Sequence, residues 1–108
     1  MLDTTMYANW QDALAILPHH MRDGMERYIR YGVEGGGFMM AVLENDFIGA
    51  YRRADFINAR SLHTYADFLS NHVPEDCWGS RMRVQKWLAI GGLDGQAQTQ
   101  QHNEDEEC

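Results

Sequence analysis

At 108 residues, 44% apolar and 11% aromatic, the chain has enough hydrophobic side chains for one core and too little length for a second. The formal charge of −7 is unevenly placed. Five of the 16 acids (Asp94, Glu104, Asp105, Glu106 and Glu107) lie in residues 93–108 with no base, so residues 1–92 carry 11 acids against all 9 bases, a net of −2. A nearly balanced body argues against a DNA mimic, which needs carboxylates over its whole surface, and against a nucleic-acid binder with a net basic face. The two cysteines, Cys77 and Cys108, form no disulfide framework, as in a reducing compartment. No signal-peptide pattern and no apolar run of about 18 residues is visible, so a soluble, cytoplasmic protein is expected.

Residues 1–6 read as a loose lead-in. From Tyr7 to Leu17, the residues Trp10, Ala13, Leu14 and Leu17 share one helical face. Pro18 suits the first turn of the next helix, where its missing N–H costs nothing. Met21, Met25, Tyr28 and Ile29 then form an amphipathic stripe that Gly32 ends. Asp23 with Arg27, and Glu26 with Arg30, have the i,i+4 spacing of surface ion pairs. Gly35-Gly36-Gly37 predicts a turn before a helix from about Phe38. Met39, Leu43, Phe47, Ala50 and Ala54 keep one phase, with Val42 and Tyr51 beside them, so a continuous or kinked helix to about Arg53 is expected. The alternative is a break at Asn45-Asp46, with Asp46 capping a second short helix.

Asp55 or Asn58 is expected to cap the next helix, whose stripe is Leu62, Tyr65, Ala66, Leu69 and Val73 and which His72-Val73-Pro74 ends. Ser80 is an N-cap candidate for a last helix that carries Val84, Trp87 and Leu88 and stops at Gly91-Gly92. From Leu93 the chain is rich in Gln, Asp and Glu and has little to bury, so disorder is expected. The fold expectation is all-α: a compact bundle of four to six short helices over residues 1–92, followed by a disordered acidic tail over 93–108.

No reactive constellation emerges from the side chains. His19 and His20 diverge on a helix, and His63 with Asp67 has i,i+4 spacing but no third ligand, so no metal and no cofactor are expected. Glu44, Asp46 and Asp55 read as caps or arginine partners, with no nucleophile at a telling distance. Cys77 follows Asp76, which opposes thiolate formation, so it is expected as a buried small hydrophobe. The glycine turn lacks the phosphate-loop patterns. Arg52, Arg53 and Arg60, or Arg81, Arg83 and Lys86, form small basic clusters, the basis for a second reading as a DNA-associated transcriptional or replication regulator.

Leu17-Pro18, Arg27-Tyr28, Gly36-Gly37-Phe38, Ala41-Val42-Leu43, Asn45-Asp46, Arg53-Ala54-Asp55, Phe68-Leu69 with Asn71, Pro74 and Cys77-Trp78-Gly79-Ser80 form a pattern over about Leu17 to Leu88. It resembles that of a family of short phage and prophage accessory proteins, generally unassigned in function. The resemblance implies a non-enzymatic protein that binds a host or phage protein complex, inhibiting or redirecting it, as anti-CRISPR proteins and other inhibitors of host defence do. Binding is expected to centre on Tyr31, Phe38, Met40, Arg52, Arg53 and Trp78, residue types enriched at interface cores. A homodimer fits the same reading.

Overall fold

Helical periodicity organises the described part of the chain. The computed structural model describes residues 10–98. Residues 10–13 are helical and run into a 3₁₀ turn, Leu14–Ile16. Six helices follow: α1 (His19–Tyr31), α2 (Gly37–Leu43), α3 (Phe47–Arg53), α4 (Phe56–Arg60), α5 (Leu62–His72) and α6 (Arg81–Ile90). A second 3₁₀ turn, Glu75–Cys77, joins α5 to α6. Among the described residues there is no strand, and no helix is long and apolar enough to cross a membrane. The fold is all-α. Residues 1–9, with the expected lead-in and the Tyr7 start of the first stripe, and residues 99–108 of the expected tail lie outside the described residues.

The core is built from the stripes the periodicity marks. Trp10, Leu14 and Leu17, Met25, Tyr28 and Ile29 of α1, and Val84 and Trp87 of α6 belong to one buried cluster, in which the 3₁₀ turn Leu14–Ile16 packs against α1 and α5. Two aromatic residues cross-link elements by their polar ends. The Trp87 indole N–H donates to the carbonyls of Tyr28 (3.1 Å) and Ile29 (3.2 Å) in the last turns of α1; the Tyr28 carbonyl also accepts from Gly32 N–H at 2.9 Å. The Tyr28 hydroxyl donates to the Cys77 carbonyl at 2.6 Å. Burial raises the Tyr28 pKa above its ordinary value, so the hydroxyl stays a donor. Among the described residues no buried side-chain N or O lacks a partner.

The ends of α1 and α6 cross at glycine. Gly32 caps α1 in the left-handed conformation, φ +68°. A Cβ there would lie 2.7 Å from Gly92 N and 2.8 Å from Trp87 O. Gly92, at φ +72°, is equally tight against Gly32 and Arg30 backbone. Both positions need a residue without a side chain.

The helix expected as continuous or kinked to about Arg53 is two helices, the alternative with a break at Asn45-Asp46. Asn45 adopts φ +64°, and the N–H groups of Asn45 and Asp46 donate to the Val42 and Ala41 carbonyls at 3.1 and 2.9 Å. This is the Schellman closure, with asparagine tolerating the left-handed position. Asp46 then caps α3, accepting from Gly49 N at 3.0 Å. The break rotates the stripe. Met39, Leu43 and Ala50 stay buried, whereas Phe47 turns outward at 66% exposed. Asp46→Ala is expected to cost about 0.5–2 kcal/mol, the usual worth of a lost N-cap, measurable by urea denaturation.

A second break separates α4 from α5 at Ser61, whose hydroxyl bonds back to the Ile57 carbonyl at 2.8 Å and competes with the helical ladder. Asp55 caps α4 and Ser80 caps α6, each accepting from the N–H three residues on. Tyr65 and Leu69 of α5 and Val73 just after it are buried as expected, but Ala66 is exposed and Phe68 takes the inner position. Beyond α6 the ordered chain continues past residue 92. Residues 92–98 are helical, Leu93 packs against the core, and Gln96 reaches Asp76 at 3.4 Å. The apolar Leu93 side chain, set by the turn at Gly91 and Gly92, holds this extension on the body. The Asp23–Arg27 and Glu26–Arg30 spacings bring no N···O contact within 4.0 Å, since exposed ion pairs repay little of their side-chain entropy.

Candidate functional site

The break at Asn45-Asp46 and the short helices after it leave a run of large apolar side chains exposed. α3 and α4 are too short to fold all their apolar residues inward. Gly49 and Ala50 of α3 and Asn58 of α4 face the interior. Phe47, Ile48 and Tyr51 of α3, and Phe56 and Ile57 of α4, remain 55–74% exposed. At about 200 Å² per large side chain, these five together leave on the order of 600 Å² exposed to solvent. The Arg60 guanidinium carbon lies 5.3 Å from the Phe56 ring centroid, a cation–π contact that presents ring and charge together. Arg52 is exposed one turn after Ile48.

A groove of about 520 Å³ adjoins this surface. Its wall is apolar, formed by Val42, Ala50, Leu62, Tyr65 and Leu69, with Phe47 and the half-buried Trp78 beside them. The Trp78 indole N–H is tied to the Val73 carbonyl at 3.1 Å, so its ring orientation is set by the chain. His63 and Asp67 pair at 3.4 Å on the exposed side of α5, and His63 borders the groove.

The residues expected at the interface separate. Arg52 joins the exposed face, and Trp78 joins the groove next to it. Tyr31 is half exposed at the end of α1, outside both. Arg53 turns back, its guanidinium donating to Gly49 O at 3.2 Å. Phe38 and Met40 are corrections, because both are buried. Phe38 packs edge-on against Tyr65, with centroids 5.3 Å apart, and the Met40 sulfur accepts from Gly35 N–H at 3.4 Å. The turn at Gly35 folds back over α2, so the residue off the main stripe is covered too. Ile48, Phe56 and Ile57 drew no attention in the sequence, and Phe47 stood there as core. The available signal was the Asn-Asp pair, which closes one helix and caps the next.

Between α1, the 35–37 turn and the α3–α4 junction lies a polar cavity of about 540 Å³. His20 and Asp55 meet there at 3.0 Å. The Asn58 N–H bond is the largest influence on Asp55 and holds its carboxyl below the usual range; the His20 contact adds to this, and desolvation opposes it. A depressed carboxylate pKa contributes stability above its unfolded value, and that contribution is lost as pH falls through the folded value. The stability gap between wild type and Asp55→Ala should therefore be present at neutral pH and shrink as pH drops below about 4. Urea titrations at the two pH values check this. Cys77 is wholly buried, its thiol donating to Pro74 O at 3.2 Å, and burial followed by the Asp76 charge pushes its pKa up. That environment suits packing and opposes a nucleophilic thiolate.

Comparison of the chain with protein-family models, with curated proteins and with solved structures finds no match.

Proposed function

We propose that this protein acts by binding another protein, as a non-enzymatic phage-type accessory protein that inhibits or redirects a host complex, such as a defence system, in the host cytoplasm. The observation that carries the reading is the exposed set Phe47, Ile48, Tyr51, Phe56 and Ile57 on two successive short helices. Five large apolar side chains left in water are costly unless a partner covers them. Their area is about three quarters of the roughly 800 Å² that each side contributes to a standard interface. Arg52 and Arg60 supply charge at this surface, so the fitting partner presents an apolar anchor flanked by carboxylates.

The test is affinity capture of tagged protein from host lysate after nuclease treatment, beside a variant carrying Tyr51→Ala and Phe56→Ala. A stoichiometric partner held by wild type and lost by the variant supports the reading. Equal capture by both removes this face. A DNA-associated regulator is the second reading, motivated by exposed Arg81 and Lys86 on α6. It requires recovery of nucleic acid instead, with binding that weakens steeply in salt.

A further inference from the structure

We propose that the polar cavity between α1, the 35–37 turn and the α3–α4 junction is a binding site for an oxyanion, a carboxylate or phosphate group. The site shares no residue with the exposed face of α3 and α4, so it stands or falls separately from the docking reading.

The argument is an account of donors and acceptors. Arg27 and Arg53 both line the cavity, and neither has a carboxylate within 4.0 Å among the described residues. Arg53 spends one N–H on Gly49 O, and its other N–H groups have no acceptor among the described residues. Its stem lies across the glycine turn, where a Cβ on Gly37 would sit 3.2 Å from Arg53 Cδ.

Asn58 is the third donor and the most constrained. It is only 3% exposed, the one buried polar side chain among the described residues. Its backbone N–H donates to Asp55 at 2.7 Å, and its Oδ1 accepts from the Tyr65 hydroxyl at 2.8 Å. Burial holds the Tyr65 pKa above its ordinary value, which keeps that hydroxyl a donor. The Oδ1 is thus held inward, and the side-chain NH₂ has no protein acceptor among the described residues. Because no sealed side-chain atom is left unsatisfied, that NH₂ opens onto the cavity Asn58 lines. A buried amide with one end fixed and the other free is a positioned donor.

Acceptors are fewer. Asp55 is committed to His20 and to the cap of α4. Asp23 is the one other carboxylate lining the cavity. Two arginines and a fixed amide therefore line the cavity with a single uncommitted carboxylate. Guanidinium groups match the planar, bidentate geometry of carboxylate and phosphate oxygens. The cavity leaves room for the group that carries the oxyanion as well.

Two sources share this chemistry: a free small anion, or an acidic side chain presented by a bound protein. The probes are inorganic phosphate, acetate and a synthetic glutamate-rich peptide, each titrated into the ¹⁵N-labelled full chain. Saturable shifts are expected at the Asn58 side-chain amide and at Gly35, Gly36 and Gly37. In the double variant Arg27→Gln/Arg53→Gln the affinity should fall about tenfold or more. Both positions are exposed, so circular dichroism should show the variant folded. Phosphate binding tighter than the peptide assigns a free anion, and the reverse assigns a presented carboxylate. Absence of saturable shifts with all three probes, or equal affinity in wild type and a folded double variant, overturns the proposal. Should the double variant be unfolded, the single variants Arg27→Gln and Arg53→Gln are read by the same criterion.

Discussion

Gly32→Ala is expected to destabilise the protein by about 3 kcal/mol or more, while Gly36→Ala, four residues along, changes stability little or raises it by less than about 1 kcal/mol. The two glycines differ in what a methyl group would meet. At Gly32 the backbone is left-handed, which costs an L-residue about 1–2 kcal/mol. Its Cβ would also stand 2.7 Å from Gly92 N, 2.8 Å from Trp87 O and 2.9 Å from Gly91 C. All three are backbone atoms, so no rotamer change relieves them. The crossing of α1 and α6 would have to open, loosening the Trp87 bonds to Tyr28 and Ile29. At Gly36 the φ is −71° and nothing lies within 4 Å of an added Cβ. Thermal unfolding should separate them by well over 10 °C, since each kcal/mol shifts a domain of this size by about 4–8 °C. Similar midpoints for the two variants would show that the crossing is looser than described.

The second large effect concerns binding rather than folding. Tyr51→Ala and Phe56→Ala are each expected to weaken the captured partner by about 30-fold or more, the signature of an aromatic anchor at an interface centre. Both side chains are largely exposed, 61% and 74%, so stability should stay within about 0.5 kcal/mol of wild type. Tyr31→Ala is the control: half exposed, but outside this face and groove, it should leave affinity unchanged. Phe38→Ala is the opposite control. It removes a buried ring from its contact with Tyr65, so its effect should be a loss of stability of about 3–5 kcal/mol. Calorimetric titration with the purified partner, alongside urea denaturation, separates the two kinds of effect. Full affinity in a folded Tyr51→Ala/Phe56→Ala variant would remove α3 and α4 from the interface.

Stop signals proved more reliable than hydrophobic phase in this chain. Gly32, Gly91, Asp55 and Ser80 end or begin helices where their chemistry suggests. These are local effects: a left-handed residue without a side chain, or an oxygen that accepts a free N–H, acts wherever it stands. The phase of Met39, Leu43, Phe47 and Ala50 pointed to one helix, yet Asn45 and Asp46 closed it. A hydrogen-bonded closure at both ends of the junction outweighed the burial of one phenyl ring. The misplaced Phe47 is the same residue that now stands on the candidate interface, so the error and the site have one cause.

Residue pattern alone determined that this protein is helical, where most helices cap, and which faces of α1, α5 and α6 carry the core. It does so because 3.6-residue periodicity and capping are properties of neighbouring residues. Only the tertiary structure decided which apolar residues had no partner. Burial of Met40 depends on the fold-back at Gly35, and exposure of Phe56 depends on Asn58 taking the inner position of a helix five residues long. Only packing, too, brought Arg27, Arg53 and Asn58 from three helices to one cavity. Such juxtapositions join residues up to 31 positions apart, and no local rule of spacing reaches that far.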